Sequence, residues 1–215
     1  MQLRAVISAT WLSVVLVAGL TGCGGAADGA DTADDAMPSV SAVDSSPVTV
    51  AGADWSAPTD VVAAADAAGL SLDSEEHLDV HYHSHLDVVV DGEVVTVPAN
   101  LGIDVATERL AHLHTHDTTG ILHVEAPAAD VYTLGQALTL WGLGFDAQGC
   151  LNGICPKGEA EWAVVVDGTP LPGGPAAAAD LPLASLQQIS LVYGDAGQRA
   201  DAPTSFDWAA VNYGA

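Results

Sequence analysis

All eight histidines of this 215-residue chain fall between His77 and His123. Most stand at alternate positions: His81, His83 and His85 in HYHSH, then His112, His114 and His116 in HLHTH, with His123 close behind. Imidazole is the commonest protein ligand for transition metals and binds them through a neutral ring nitrogen. Side chains two apart on an extended strand share a face, about 6.5–7 Å apart along the chain. Two His-x-His strands that face each other therefore aim four or more imidazoles at one point. The spacing predicts a metal centre with ligands His81, His83, His85, His114, His116 and His123. Asp117 and Glu125 fall within reach, either as an oxygen ligand or as acceptors that fix which imidazole nitrogen faces the metal.

A blander account applies to some of these residues. Single histidines in strands are mostly hydrogen-bonded or partly exposed, and HTHDTTG also reads as a turn in which Asp117 bonds backbone amides. His77, in the charged stretch SLDSEEH, fits that account and is expected to be solvated surface. Sulfur is scarce, since the only methionines are Met1 and Met37. That argues against a methionine-rich Cu(I) carrier and against a blue-copper centre, which needs cysteine and a weak axial ligand. Imidazole with carboxylate suits Cu(II) or Zn(II). A binding protein acting as a sink, sensor or donor would fill the coordination positions with side chains. A hydrolytic or oxidative metalloenzyme would need three protein ligands, an open position and a base, for which Asp117 or Glu125 stands ready. A third reading is a cell-surface interaction module whose metal is structural or absent.

The elements that must position these groups are legible in outline. Asp79 to Val90 alternates strictly, with Tyr82, Leu86, Val88 and Val90 on one face and the histidines with Asp87 on the other. Asp91-Gly92 signals a type I′ hairpin, with Glu93 to Val97 as the returning strand. Leu110 to Thr115 reads as a third strand, HDTTG as a turn, and Ile121 to Glu125 as a fourth strand. A helix over VVAAADAA is capped by Thr59 or Asp60 and closed by Gly69. A second helix opens with a Thr-x-x-Gln capping box at Thr133 and Gln136, with Leu134, Leu138 and Trp141 on one face. Trp162 to Val166, the Asp167-Gly168 turn and Ile189 to Tyr193 are expected to form a second β layer. The tail from residue 195 reads as irregular, packing through Phe206 and Trp208. The fold class is α+β, a single compact domain of mostly antiparallel hairpins with one or two helices, because Asp-Gly hairpins recur and no βαβ rhythm does.

Three enzyme motifs come close and fail. HLHTHD inverts the last two residues of the His-x-His-x-Asp-His of metallo-β-lactamase-like hydrolases. The Asp-x-His-x-His strand of polymerase-and-histidinol-phosphatase hydrolases needs further ligands downstream, and no histidine follows His123. A cupin places its Glu before its last His, whereas Glu125 follows His123. A different pattern fits better: His81, His83, His85 and Leu86; Asp91 and Gly92; Val97 to Ile103; Leu113 to Gly120 with His123 and Glu125; Thr133 to Gln136 with Trp141 and Gly142; Tyr193 with Gly194. In these segments, from about Ala68 to Trp208, the chain resembles an uncharacterised family of exported or membrane-anchored bacterial and archaeal proteins. The resemblance implies that His81, His83, His85, His114, His116, Asp117 and His123 belong to the shared pattern. His77 and His112 fall outside it. It implies a site and not an activity.

The ends speak of location. Arg4, an uncharged apolar run from Ala5 to Gly19, and Leu20-Thr21-Gly22-Cys23 have the order of a bacterial lipoprotein leader. On that reading residues 1–22 are the signal peptide and Cys23 carries the lipid. The mature chain then sits anchored on the extracytoplasmic face of the cell membrane without a transmembrane helix. Residues 23–56 are rich in Gly, Ala, Asp and Ser, too polar to offset the entropy of ordering, and read as a disordered tether. Residues 57–215 are the His-rich domain. Setting Cys23 aside leaves Cys150 and Cys155 in GCLNGICP, for which a disulfide is the default in an oxidising compartment, with thiolate ligation of the metal as the alternative. Loss of Arg4 with the leader leaves three basic residues against 28 acidic ones. Such a chain has no basic patch for phosphates, which excludes a nucleic-acid partner, and its field concentrates cations.

Overall fold

The computed structural model describes residues 49–211; the expected leader, Cys23 and the part of the expected tether up to residue 48 lie outside the described residues. The described chain opens with a small ribbon, β1 (Thr49–Val50) and β2 (Ala53–Asp54), that leads into Trp55. Trp55 is fully buried, and its carbonyl accepts a hydrogen bond from the Trp141 indole N–H at 2.8 Å. The folded chain thus takes in residues that composition assigns to the tether. One large aromatic with a core to enter outweighs its polar neighbours.

Helix α1 (Val61–Ala67) starts where Asp60 accepts from the Ala63 N–H at 2.9 Å, and it ends at Gly69, whose φ of +70° carries the chain out of the helix. Helix α2 (Leu134–Leu140) has the full capping box, with Thr133 and Gln136 each accepting from the other's backbone N–H. Leu134, Leu138 and Trp141 are buried, as the spacing predicts. Between the helices lie β3 (Leu72–Asp73), β4 (Val80–Val90), β5 (Glu93–Val95), β6 (Ile103–Asp104), β7 (Arg109–Ala111), β8 (Leu113–His114) and β9 (Ile121–Ala126). After α2 come β10 (Glu161–Val166), β11 (Thr169–Pro170), β12 (Gln187–Gly194) and a short α3 (Ala196–Ala200). Cys150 and Cys155 are joined in a disulfide.

The main sheet has the order β11-β10-β12-β4-β9-β8, with β5 also paired to β4. Its apolar face carries Leu86, Val88 and Val90 of β4, Leu122 and Val124 of β9, Ile189 and Leu191 of β12, and Trp162 and Val164 of β10. The buried side of α2 joins this cluster. Burial of each such side chain contributes roughly 1.5–3 kcal/mol, which is why the alternation of β4 fixes its facing. The opposite face carries Val165 and Val192, which Ala202 packs against, and the C-terminal segment covers part of it. At its β4–β9–β8 end that face carries histidines instead.

The tail read as irregular contains α3, and the structure also overturns two expectations about the strands. Residues 162–166 and 189–193 do not build a second layer, because both strands join the sheet of β4, and β12 runs parallel to β4 from Gln187↔Ser84 to Tyr193↔Val90. Parallel neighbours need a long crossover, which residues 96–186 supply. Nor is Leu110–Thr115 one strand. A bend at His112 separates β7, which pairs with β3 and β6, from β8, which pairs with β9. Ala111 and Leu113 are both fully buried, so the chain turns between them to serve two sheets.

Candidate metal centre

Strand register brings the histidines together. β9 pairs with β4 on one side and β8 on the other, so His83, His123 and His114 form a row across three strands. In the next row His81 stands opposite Glu125. His116, just past β8, folds back so that its Nε2 lies 3.0 Å from His114 Nε2. His81 Nε2 and His83 Nε2 are 3.1 Å apart in the same way. The ring of His123 lies between these pairs, with centroids 4.7 Å from His83 and 4.4 Å from His116. Donor atoms fall into two quartets, His81–His83–His123–Glu125 and His114–His116–His123–Glu125, each within 4.8 Å. Glu125 thus sits among the donors themselves, not behind them.

The local fold holds this arrangement tightly. Gly120 has a φ of +85°, and a Cβ there would stand 2.5 Å from the Leu86 carbonyl, which closes the turn between β8 and β9 against β4. The Leu86 N–H donates to the Gly120 carbonyl at 2.9 Å, at the point where β4 exchanges β9 for β5 as its partner. His83, His114, His123 and Glu125 are buried, His116 is half-buried and His81 is exposed. A cation would therefore reach the centre past His81 and His116.

Electrostatics keep the imidazoles ready for a cation. Burial, with added repulsion from His116 and His123, pushes His114 down to about 3. Burial with repulsion from His123 and His81 pushes His83 down to about 4, and His116 is lowered for the same kinds of reason. These rings are neutral at pH 7 and keep a lone pair, the form that binds metal. Burial opposes ionisation of Glu125, but the adjacent His123, His114 and His81 outweigh it and hold the carboxyl at about 2. The His114 Nδ1–H donates to the Ala111 carbonyl at 2.8 Å, which leaves Nε2 as the lone pair facing the centre. Backbone anchoring of the remote nitrogen is the usual way a metal-binding imidazole is oriented. Glu125 Oε2 is buried and accepts no hydrogen bond. A buried carboxylate oxygen in that state costs free energy, and a cation would satisfy it. The donor set fits an imidazole–carboxylate metal site.

Other residues picked from the sequence lie elsewhere. His85 shares a face with His81 and His83, but its partner on β9 is Ile121 and not a ligand. Its Nδ1 meets Gln188 Oε1 at 2.9 Å and its Nε2 meets the Thr119 carbonyl at 2.8 Å. Phe206 stacks on its ring at 3.8 Å, with Trp208 edge-on at 6.4 Å. Both ring nitrogens are thus committed, and His85 fastens the C-terminal segment to the sheet. Asp117 accepts from the Thr119 N–H at 2.8 Å and from the Thr119 hydroxyl at 2.5 Å, so it builds the turn and bonds no imidazole there. The bend at His112 aims that ring away from the centre, at Asp73 Oδ2 (2.8 Å) and the Tyr132 hydroxyl (3.1 Å). His77, expected to be solvated, is instead half-buried 3.3 Å from the same Asp73 oxygen. Asp73, His77 and His112 make a small group of their own. Nothing in the spacing of HLHTH announced it, because Asp73 comes from β3, in the other sheet. No known protein family, curated protein or solved structure matches this chain.

Proposed function

We propose that the chain is an extracytoplasmic, lipid-anchored protein that binds Cu(II) or Zn(II) through His81, His83, His114, His116, His123 and Glu125. The observation that carries this reading is the convergence of five imidazoles and one buried carboxylate from three adjacent strands and the turn after β8, with their donor atoms in two close quartets. Neutral His83 and His114 at physiological pH, and a buried Glu125 oxygen without a hydrogen bond, both suit a cation. Borderline N/O donors without sulfur favour Cu(II) over Zn(II) in intrinsic affinity, and geometry and supply decide between them in the cell. A formal net charge of −24 attracts cations to the surface before capture.

We take sequestration, sensing or delivery as the reading, because the quartets fill their positions with side chains: each holds three imidazoles and a carboxylate. A hollow between α1 and the end of α2 is lined by Pro58, Asp60, Ala64 and Leu143, with no histidine. A narrow cleft behind the sheet touches His114 from its apolar side, among Leu101, Leu113 and Leu140. The first lies away from the quartets, and the second meets His114 only on the side turned from its Nε2 partner His116. The test is metal analysis of the chelator-stripped chain with Cu(II) and Zn(II) titrated separately. Binding below about one tenth of an equivalent for both would sink the proposal.

The anchor rests on Leu20-Thr21-Gly22-Cys23 and the apolar run before it. Cys23→Ala should move the protein from the membrane fraction to the soluble fraction of its bacterial host and abolish labelling by a fatty-acid probe. Labelling that survives the substitution would refute lipidation at this cysteine.

A further inference from the structure

We infer that the centre holds two divalent cations, one on the His81/His83 pair and one on the His114/His116 pair, with Glu125 bridging them and His123 between them. This deepens the metal-binding reading and rests on it. The first argument is distance. Two ligands on one ion with bonds of about 2.0–2.1 Å stand at most ~4.2 Å apart. The six donors do not form one group at even 4.8 Å; they split into two quartets whose private members are the two His-x-His pairs. A single ion leaves one pair out.

Each pair is also already spaced as a chelate. Nitrogens about 2.05 Å from one ion and 3.0–3.1 Å from each other subtend roughly 95° at it, an ordinary coordination angle. Between neutral rings each contact is an N–H···N hydrogen bond; as a cation binds, the donor ring's proton passes through solvent from Nε2 to Nδ1, so that both Nε2 lone pairs face the ion. His114 already presents its Nε2 lone pair, because its Nδ1–H is committed to the Ala111 carbonyl.

The carboxylate faces both ways. Glu125 Oε1 is 3.3 Å from His81 Nε2 and 3.6 Å from His123 Nδ1, while Oε2 is 3.8 Å from His114 Nε2. Its two oxygens thus address different pairs, and the one on the His114 side is the buried oxygen without a hydrogen bond. A carboxylate that spans two ions about 3.5–4 Å apart is a standard way to hold such a pair, since its charge offsets their mutual repulsion.

The experiment is a stoichiometric titration of the full chain, purified in detergent and stripped with chelator, using Cu(II) alone and Zn(II) alone. The wild type should take up two equivalents. His81→Ala/His83→Ala and His114→Ala/His116→Ala should each take up one. The Cu(II)-loaded wild type should show the half-field electron paramagnetic resonance of a coupled pair, and both double variants should lose it. The spectrum of the wild type alone tests the pairing even where a variant fails to fold. One equivalent in the wild type would overturn this inference and leave the proposed function standing; none would overturn both. A second equivalent lost in His77→Ala/His112→Ala, but kept in either pair variant, would place that ion at Asp73 and likewise overturn it.

Discussion

His123→Ala is expected to lower the affinity of the chain for Cu(II) and for Zn(II) more than about 100-fold, beyond the 10–100-fold typical when only an outer partner of a ligand is removed. The reason is position. His123 belongs to both donor quartets, in the middle strand of three, beside His83 on β4 and His114 on β8. Removing it takes from both quartets the imidazole they share, and takes away one of the rings whose proximity holds the Glu125 carboxyl low. By contrast His77→Ala should leave affinity at the centre within about twofold, because His77 pairs with Asp73 outside both quartets. Isothermal titration with each metal measures both variants, and the thermal melt of the metal-free proteins separates lost ligation from lost folding. A folded His123→Ala protein that binds with wild-type affinity would show that the quartets are not the site.

Acid should destabilise the metal-free domain, with the loss concentrated between about pH 6.5 and 3. The direction follows from the folded-state values. An unfolded histidine titrates near 6.5, while folded His114 titrates at about 3 and His83 at about 4. Below 6.5 the unfolded chain takes up protons that these folded rings refuse, so stability falls as pH drops, until the folded rings titrate as well. His114 alone, nearly fully buried, accounts for roughly 2 kcal/mol between pH 7 and pH 5. His83 and His116 act in the same direction. Glu125 adds to the trend at lower pH, since its carboxyl is held at about 2 and its contribution is present above its unfolded value and lost as pH falls towards 2. Urea midpoints in the presence of chelator at pH 7, 6 and 5 check the slope. A flat or rising midpoint would contradict a buried, neutral His114. Bound metal should steepen the dependence, because ligands must shed protons to bind.

Much of the local structure was legible because its causes are local. The alternation from residue 79 to 90 set one long strand and its apolar face, and Leu86, Val88 and Val90 are buried where it placed them. Asp91-Gly92 and Asp167-Gly168 adopt the positive φ values that such turns require. Asp60 and Thr133 cap the helices they precede, since a capping side chain meets an amide two or three residues ahead. The disulfide followed from two cysteines five residues apart in one loop.

What only the tertiary structure decided is which strands are neighbours. Five of the six predicted ligands do converge, yet the two His-x-His strands never touch: β9 runs between them and supplies His123 and Glu125 to both. His85, identical to His83 in its local pattern, is claimed by Gln188 from 103 residues further on, because the parallel strand β12 lies along that edge of β4. His112 is turned out by a bend that lets one segment serve two sheets, and it finds Asp73 there. Spacing of two fixes which side chains share a face of one strand, since that depends on backbone pleat alone. Which face meets which depends on register and strand order, and these are set by burial of apolar side chains far apart in the chain. The sequence by itself therefore determined that a histidine-rich face exists; the packing of β4, β9 and β8 determined which histidines meet.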